Sequence, residues 1–359
     1  MCELLGMSYN QPVRPIISFK GFRRRGEKNP NGWGLAFYPE GASAQVIKEP
    51  LKAVKSKLSE FVRDYPAVRA NLFIAHVRRS TSAPPCHKNT HPFCRELNGR
   101  EYVFAHNGTL HNYKSLELGR FKPIGGTDSE YVFCHLLKCI EERRMEHWEK
   151  RDFEWLVGKL KEINKYGDGD LNCLFSDGEF LFCYYDEKGH KGLCFLRRKP
   201  PYGKIHLIDP DLKVELEEVD LAKKKDPSQR GFIVATKGLT NEAWESFRFG
   251  ELMVFRRGRI VYSNFRQVSG NRTTLPLIEM EILKALRTSP HRLNFGEIIM
   301  RSSYSSSKEV KECVHSLLCR GYIRQDRRDN KVKWNNDKAT FYTDPSKRTE
   351  IDRLVRDEN

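Results

Sequence analysis

The sequence lacks several features that would assign it to other classes of protein. None of its apolar runs reaches about 18 residues, the length that a membrane-spanning helix requires. Its N-terminus lacks the basic region and apolar stretch of a secretory signal. The ten cysteines include no CxxC pair, and the chain has neither an internal repeat nor a low-complexity segment. These absences predict a cytoplasmic protein that contacts no membrane and keeps its cysteines as reduced thiols.

What is present fits a globular protein of two domains. The 359 residues are 39% hydrophobic and 31% charged, which is enough to bury a sizeable core. The formal net charge of +16 permits contact with nucleic acid. Residues 275–359 hold 17 Lys and Arg against 13 Asp and Glu, so most of the excess charge lies earlier in the chain.

Cysteine stands at position 2, where removal of Met1 would make it the N-terminal residue. It would then carry a thiol nucleophile and a free α-amine, whose reference pKa of about 7.7–8.0 suits a general base. The N-terminal threonine enzymes likewise place nucleophile and base on one residue. Cys2 is therefore a candidate nucleophile, with an ordinary N-terminal residue as the alternative.

Short apolar runs predict the strands around which the other motifs lie. The strand at 2–10 is expected to be ended by Pro12 and Pro15. The basic stretch Lys20–Lys28 is either a solvated loop or a segment near the site. Three later segments place polar residues beside a buried strand or a helix start. In chain order they are His76-Val77-Arg78-Arg79-Ser80-Thr81, His106-Asn107-Gly108 and Gly126-Thr127-Asp128-Ser129-Glu130. Thr127 or Asp128 would cap the helix that follows.

Together with Met1-Cys2-Glu3-Leu4-Leu5-Gly6 and Asn31-Gly32-Trp33-Gly34, these segments resemble the class II glutamine amidotransferases, which are N-terminal-nucleophile hydrolases. The resemblance is narrower to the stand-alone amidotransferase-domain proteins of that class and covers roughly residues 2–265. It implies an α+β fold, a four-layer αββα sandwich.

The resemblance also implies the chemistry. Cys2 would attack the side-chain amide carbon of glutamine, release ammonia and leave a γ-glutamyl thioester for water to hydrolyse. The oxyanion formed on the way needs donors that are already in place. Asn107 would supply a side-chain N–H and Gly108 a backbone N–H, although an Asn-Gly pair on its own is most often a turn.

Four further residues match the part of the family motif that holds the substrate. Arg78 would grip the α-carboxylate of glutamine with its planar fork, for which a surface salt bridge is the alternative. Thr81 would support the same loop, and His106 would line the substrate site. Asp128 would receive the α-ammonium group, and it is either this partner, a helix cap, or both.

Two positions depart from the family pattern. Relatives commonly read Pro-Asp-Gly-Trp-Gly, whereas Asn31 stands here in place of the aspartate, so the role of that carboxylate is open. The residue after Arg78 is a second arginine, Arg79, so the family pattern does not assign the residues at the rim of the pocket.

A second group of residues is a candidate zinc site. Thiolate and imidazole ligands suit this metal, and they are supplied by Cys86, His87, His91 and Cys94. Their spacing matches no known zinc finger, however, and His91-Pro92 also resembles the family's loop near the substrate. We therefore expect neither a metal nor another cofactor.

The composition changes at residues 267–274, a polar linker that predicts domains at 1–266 and 275–345 and a tail at 346–359. Three helices and a hairpin of Tyr322–Arg324 with Val332–Trp334 predict a winged-helix domain, which would bind DNA or dock a protein. The residues that would reach DNA phosphates are Lys308, Lys311, Arg327, Arg328 and Lys333.

The leading hypothesis is a glutaminase or amidotransferase that uses Cys2. A small-molecule substrate is expected, and the ammonia would pass to a separate synthase, to another copy of the chain, or to water. One alternative is a γ-glutamyl peptide or amide hydrolase with the same clamp. The other is a glutamine-sensing regulator that binds DNA through the C-terminal domain.

Overall fold

The computed structural model describes residues 2–80, 83–144, 147–209, 214–266, 268, 277–301, 307–319, 322–326, 339–349 and 351–352. The chain divides into two compact units, Met1–Val268 and Ser269–Asn359. Each unit has hydrophobic clusters of its own. In the described part of the chain, no helix is both long and apolar enough to span a lipid bilayer.

The described residues of the first unit form mainly antiparallel strands, with a few helices between them. The strands are β1 (Glu3–Val13), β2 (Trp33–Glu40), β3 (Ser43–Glu49), β4 (Ala70–Val77), β5 (Phe93–Leu97), β6 (Arg100–Asn107), β7 (Asn172–Ser176), β8 (Leu181–Tyr184), β9 (Cys194–Arg198), β10 (Lys204–Asp209), β11 (Val214–Asp220), β12 (Gly231–Ala235), β13 (Glu245–Ser246), β14 (Leu252–Arg256) and β15 (Arg259–Ser263). The helices are α1 (Ile16–Arg24), α2 (Lys57–Asp64), α3 (Asp128–Arg143) and α4 (Lys150–Tyr166).

Within these residues the strands form two large sheets and a two-stranded ribbon. The first sheet has the order β13-β9-β12-β1-β4-β2-β3, and the second has the order β15-β14-β8-β7-β6-β5. The ribbon pairs β10 with β11. The mixed helix and sheet content predicted for this unit is confirmed.

The central strands are buried on both faces, because successive side chains of a strand point to opposite sides. On β4, Leu72 and Ile74 pack between the two sheets, whereas Phe73 and Ala75 join the cluster that includes α1 and α2. The helices α3 and α4 cover the outer face of the second sheet in the same way. The layers therefore run helices, sheet, sheet, helices, and burial on two faces explains the unbroken apolar runs in the sequence.

Two local expectations for the N-terminal region are wrong. The strand β1 runs past the predicted end at residue 10, includes Pro12 and ends at Val13, before Pro15; its pairing to β4 is interrupted between Ser8 and Val13. The basic stretch Lys20–Lys28 is not a solvated loop, because α1 continues through it to Arg24. Phe19 and Phe22 anchor that helix in the core beside the first sheet.

The ends of strands bring the chemical motifs together. The strands β1 and β4 are antiparallel neighbours in which Glu3 pairs with Val77, so the residue before β1 and the residue after β4 lie side by side. These two residues are Cys2 and Arg78. The strand β6, in the second sheet, ends at Asn107.

The second unit is described here by itself. Its helices are α5 (Leu277–Thr288), α6 (Phe295–Arg301) and α7 (Ser307–Cys319), and its strands are β16 (Leu293–Asn294), β17 (Ile323–Gln325) and β18 (Thr340–Thr343). The strands pair in the order β16-β18-β17, and all three helices contribute to one hydrophobic cluster. Ile351, in the predicted tail, is fully buried in this cluster.

In the second unit, β17 has a partner that the sequence did not predict. Among the described residues, β17 pairs with β18, which lies at 340–343, and β18 also pairs with β16. The segment Val332–Trp334, which we expected to be the partner of β17, lies outside the described residues.

Candidate functional site

One small cleft in the first unit gathers most of the predicted site residues. Its volume is about 60 Å³. The predicted residues that line it are Cys2, Arg78, His106, Asn107, Gly108 and Asp128. Thr81 lies outside the described residues. Residues from four separate places in the chain therefore meet at one cleft.

Cys2 lies against the backbone of Arg79. The Arg79 N–H donates to the sulfur and the thiol donates to the Arg79 carbonyl, each over 3.3 Å. Burial raises the pKa of the Cys2 thiol above its ordinary value, while the Arg79 N–H and the charge of Arg78 act in the opposite direction. The thiol is thus mostly protonated at neutral pH and needs a base to become a nucleophile.

Arg78 is buried, with 4% of its surface exposed. Its Nη2 donates to the carbonyl of Ala83 over 2.8 Å and to Ser80 Oγ over 3.3 Å. Its Nη1 is buried and has no hydrogen-bond partner among the described residues. A buried donor without a partner is costly, and a carboxylate in the cleft would satisfy it.

Asn31 fixes the loop that carries Arg78. Its backbone N–H donates to the Arg78 carbonyl over 2.9 Å, and its side-chain oxygen accepts from the Ser80 N–H over 2.9 Å. An aspartate oxygen could accept the same bond, so asparagine keeps this contact and removes only the charge. The departure from the family pattern at position 31 therefore preserves the loop.

Gly34, in the same motif, permits a close approach of two chain segments. A Cβ at this position would lie 2.2 Å from the His91 carbonyl oxygen and 2.7 Å from Pro92 Cδ. The ammonium group of Lys48 holds this segment through the carbonyls of Thr90, at 2.7 Å, and Pro92, at 3.2 Å. The close approach at Gly34 thus positions His91 in the wall of the cleft.

Asn107 and Gly108 follow the end of β6. The Asn107 side chain is 2% exposed, and its Nδ2 has no hydrogen-bond partner in the described part of the chain. At Gly108 a Cβ would lie 2.1 Å from the Asp170 carbonyl oxygen and 2.6 Å from His106 Nε2, so only glycine fits. A donor without a partner beside the thiol is the arrangement that an oxyanion requires.

Both ring nitrogens of His106 form hydrogen bonds within the protein. Its Nε2 lies 3.0 Å from the Asp170 carbonyl, which can only accept, so Nε2 carries the proton. Its Nδ1 then accepts from the Ser129 hydroxyl over 2.9 Å. These contacts favour a role for His106 in joining β6 to the start of α3, rather than a direct contact with substrate.

Thr127, and not Asp128, caps α3. Thr127 Oγ1 accepts from the Glu130 N–H over 3.1 Å, which is a typical N-cap contact. Asp128 is the first residue of the helix, and its Oδ2 accepts from the Leu110 N–H over 2.8 Å. Its Oδ1 makes only a long 3.5 Å contact with Ser129 Oγ. One carboxylate oxygen of Asp128 therefore remains for a cationic group in the cleft.

Two more histidines line the cleft: His91, whose loop the resemblance had placed near the substrate, and His190, which the sequence did not single out. His91 is 3% exposed, its ring centre lies 4.2 Å from that of His76 with the two rings tilted, and neither of its nitrogens has a hydrogen-bond partner among the described atoms. Burial lowers the pKa of His76 to about 3 and that of His91 well below its ordinary value. His190, from the loop between β8 and β9, is the second.

The alternative metal site does not assemble. In the ranges that the structure describes, no three His, Cys, Asp or Glu side chains are placed to hold a metal ion together. Of the four candidates, His91 lines the cleft, and Cys94 lies in β5, where its sulfur is 3.9 Å from Glu101 Oε1.

Of the five side chains predicted to contact DNA, one lies in the described part of the structure. Arg327, Arg328 and Lys333 lie outside the described residues, as does the side chain of Lys308. The ammonium group of Lys311 lies 5.4 Å from the centre of the Phe295 ring, within the same unit.

With the cleft in view, comparison with known proteins defines its class. Residues 1–277 match the family model of the class II glutamine amidotransferases, and the chain belongs to this family. It is 48% identical over 362 residues to the uncharacterized protein MJ1515 of Methanocaldococcus jannaschii. The matched region covers 99% of this chain and 97% of that protein.

Two further relatives each match about three quarters of the chain. YafJ of Escherichia coli K12, a protein named as a glutamine amidotransferase, is 36% identical over 267 residues, 73% of this chain and all of YafJ. A crystal structure of a predicted glutamine amidotransferase from Pseudomonas aeruginosa shares 29% identity with a TM-score of 0.54. It covers 73% of this chain and the whole of that chain.

Proposed function

We propose that the chain hydrolyses the side-chain amide of glutamine, or of a related γ-glutamyl compound, through the thiol of Cys2. One observation carries this proposal. Arg78 and Asn107 line the same cleft as the thiol, and each has a buried donor, Nη1 and Nδ2, without a partner in the part of the chain that the structure describes. An amide substrate with an α-carboxylate offers an acceptor to each of them.

The first step uses the amine of the nucleophile itself. Removal of Met1 would expose the α-amine of Cys2, which takes the thiol proton as the sulfur attacks the amide carbon. A base is needed because burial raises the pKa of this thiol. The carbonyl oxygen becomes an oxyanion that accepts from Asn107 Nδ2 and the Gly108 N–H. Collapse of this intermediate, with proton transfer to nitrogen, releases ammonia and leaves a thioester.

The amino-acid end of the substrate lies between two opposite charges. Arg78 Nη1 donates to the α-carboxylate, and Asp128 Oδ1 accepts from the α-ammonium group. Asp128 Oδ1, whose printed contact is a long one of 3.5 Å with Ser129 Oγ, and Arg78 Nη1, which has no partner among the described residues, support this assignment. Because both residues act at a distance from the scissile bond, they select the γ-glutamyl group without taking part in bond cleavage.

The experiment is an assay of the purified chain with glutamine, read as glutamate and ammonia formed in equal amounts. Cys2→Ala should abolish both. A panel of γ-glutamyl peptides and amides, assayed in parallel, distinguishes a glutaminase from a γ-glutamyl amide hydrolase by the ratio of kcat/KM values. A chain that binds glutamine and turns over none of these compounds would instead favour the regulator hypothesis.

The fate of the ammonia and the role of the second unit belong to the same proposal. Ammonia is released to water or passed to a separate synthase or a second copy of the chain. The order of elements in the second unit, α5-β16-α6-α7-β17-β18, supports the winged-helix interpretation. DNA binding by this unit stays a prediction that a titration tests.

A further inference from the structure

A buried asparagine in the loop between β4 and β5 connects two segments that lead to residues of the cleft. The Asn89 side chain is 2% exposed, and both of its polar atoms form hydrogen bonds. Its Nδ2 donates to the Pro84 carbonyl over 3.0 Å, and its Oδ1 accepts from the Gly126 N–H over 2.9 Å. A carbonyl only accepts and an N–H only donates, so these two partners fix the orientation of the amide.

The first of these segments holds the guanidinium group of Arg78. Arg78 Nη2 donates to the carbonyl of Ala83 over 2.8 Å. The next residue in the chain is Pro84, whose carbonyl accepts from Asn89. Neighbouring carbonyls of one short segment therefore hold the proposed carboxylate-binding side chain and the amide of Asn89.

The second segment leads into Asp128 at the start of α3. Gly126, which donates to Asn89, lies two residues before Asp128. On the helix itself, the buried carboxylate of Glu130 accepts from the Gly125 N–H over 2.6 Å. A Cβ at Gly125 would lie 2.4 Å from Asn89 Oδ1, so a side chain here would displace the amide. The loop before α3 is thus fastened both to its own helix and to Asn89.

A role in its own turn does not account for these bonds of Asn89. Asparagine in a turn typically bonds to its own backbone two residues further on. The side-chain partners of Asn89 instead lie five residues before it and 37 residues after it. The turn itself is closed by the backbone, because the Asn89 N–H donates to the Cys86 carbonyl over 3.1 Å. The side chain therefore serves to join two segments that are distant in sequence.

We propose that Asn89 is a positioning residue that sets the distance between Arg78 and Asp128. This proposal rests on the proposed function. The α-carboxylate and α-ammonium groups of an amino acid share one carbon, so the two side chains that hold them must be a fixed distance apart. With Asn89 in place, a γ-glutamyl compound with a free amino-acid end bonds to both side chains at once. Without Asn89 each side chain still holds its own charge, but the two no longer act together on one substrate.

The test compares Asn89→Leu, which removes both hydrogen bonds, with the parent chain. The matched control is Asn112→Leu, because Asn112 is exposed and its side chain makes no cap hydrogen bond. Asn89→Asp keeps the acceptor for Gly126 and loses the donor to Pro84, and it decides the question if Asn89→Leu does not fold. The substrates are glutamine and glutaramate, which is glutamine without its α-amino group. Labelling of Cys2 is followed with iodoacetamide and with a diazoketone analogue of glutamine.

We expect kcat/KM for glutamine to fall by about 10²-fold in Asn89→Leu, the cost of misplacing a bound substrate by about 1 Å. KM should rise more than kcat falls, because Arg78 and Asp128 hold the substrate before and during the reaction. The value of kcat/KM for glutaramate should change little, because this compound uses Arg78 alone. Iodoacetamide should label Cys2 at the parent rate, whereas the diazoketone should react more slowly. Asn89→Asp should show the same pattern, and Asn112→Leu should match the parent.

Equal losses for glutamine and glutaramate would overturn the proposal, because they would indicate a general loss of active protein. An unchanged kcat/KM for glutamine in the Asn89 variants that fold would do the same. In an Arg78→Ala chain, Asn89→Leu should cost little more, since only one end of the clamp remains; a full additional loss would show that the two residues act independently. If Cys2→Ala hydrolyses glutamine as fast as the parent chain, the proposed function itself has failed, which is a separate outcome.

Discussion

Arg78 provides the sharpest test of how the cleft recognises its substrate. One guanidinium nitrogen, Nη2, is committed to the Ala83 carbonyl at 2.8 Å and to Ser80 Oγ, while Nη1 is buried without a partner in the described structure. Arg78→Ala removes the donor that the substrate carboxylate would use. The backbone bonds of residue 78 to Gly32, at 2.7 Å, and Asn31, at 2.9 Å, do not depend on the side chain.

The expected loss follows from leaving a substrate charge buried and unpaired. Truncation of one partner of such a pair costs about 2–5 kcal/mol. This corresponds to a loss in kcat/KM of roughly 30-fold to 5,000-fold, since each 1.36 kcal/mol is a factor of ten. Arg78→Lys keeps the charge and loses the planar fork, so its loss should lie near the lower end of this range.

Steady-state kinetics with glutamine, read as glutamate formed, separates binding from chemistry. KM should rise in both variants, while Cys2 should still be labelled by iodoacetamide at one thiol per chain. Arg79→Ala is a useful comparison because it removes an exposed positive charge at the rim, and its loss should be smaller. An unchanged KM in Arg78→Ala with only kcat reduced would refute the assignment, as would equal losses in Arg78→Ala and Arg79→Ala.

Four further predictions concern the cleft and the two units. Intact-mass analysis should show a mature chain without Met1, and a glutamine-like electrophile should label Cys2 and none of the other nine cysteines. Asn107→Ala should lower kcat by about 10²–10³ with little change in KM, because its donor acts on the oxyanion; a change in KM alone would contradict this. A chain ending at residue 268 should keep its glutaminase rate, because every residue that lines the cleft precedes residue 191. The isolated unit from 269 onward should bind mixed duplex DNA with a log–log salt slope near roughly −4 to −5 if about five phosphates are contacted; no binding at low salt would leave protein docking.

Sequence reasoning succeeded where local pattern and chain order carry the information. The apolar runs before Arg78 and Asn107 became strands because both faces of those strands are buried. Since β1 and β4 are antiparallel, the polar residues at their adjoining ends necessarily meet. The family order of short motifs could therefore predict which residues share a cleft.

Other features could not be read from the sequence. The helix α1 was hidden because Lys20, Arg23 and Arg24 dominate its composition, while two buried phenylalanines anchor it in the core. His190 Nδ1 lies 2.7 Å from Asp170 Oδ2. Nothing local relates position 190 to position 170, because the two are brought together by the β6-β7-β8 pairing and the loops that follow. The pairing of β17 with β18 was not predicted because the two segments are about fifteen residues apart and a nearer segment, Val332–Trp334, has a similar pattern; its own pairing stays a prediction.

The pairing of β1 with β4 has a consequence for how this protein would lose activity. Glu3 is matched to Val77, so one step of slippage would put an acidic side chain where the thiol now lies. The Glu3–Val77 pair is also at the end of the β1–β4 ladder, where a strand frays most easily. A mild destabilisation that loosens only these few residues would displace the nucleophile while leaving the rest of the sheet paired. Catalytic rate would then fall before circular dichroism changed, and hydrogen exchange at Leu4 and Leu5 would report the integrity of the active site.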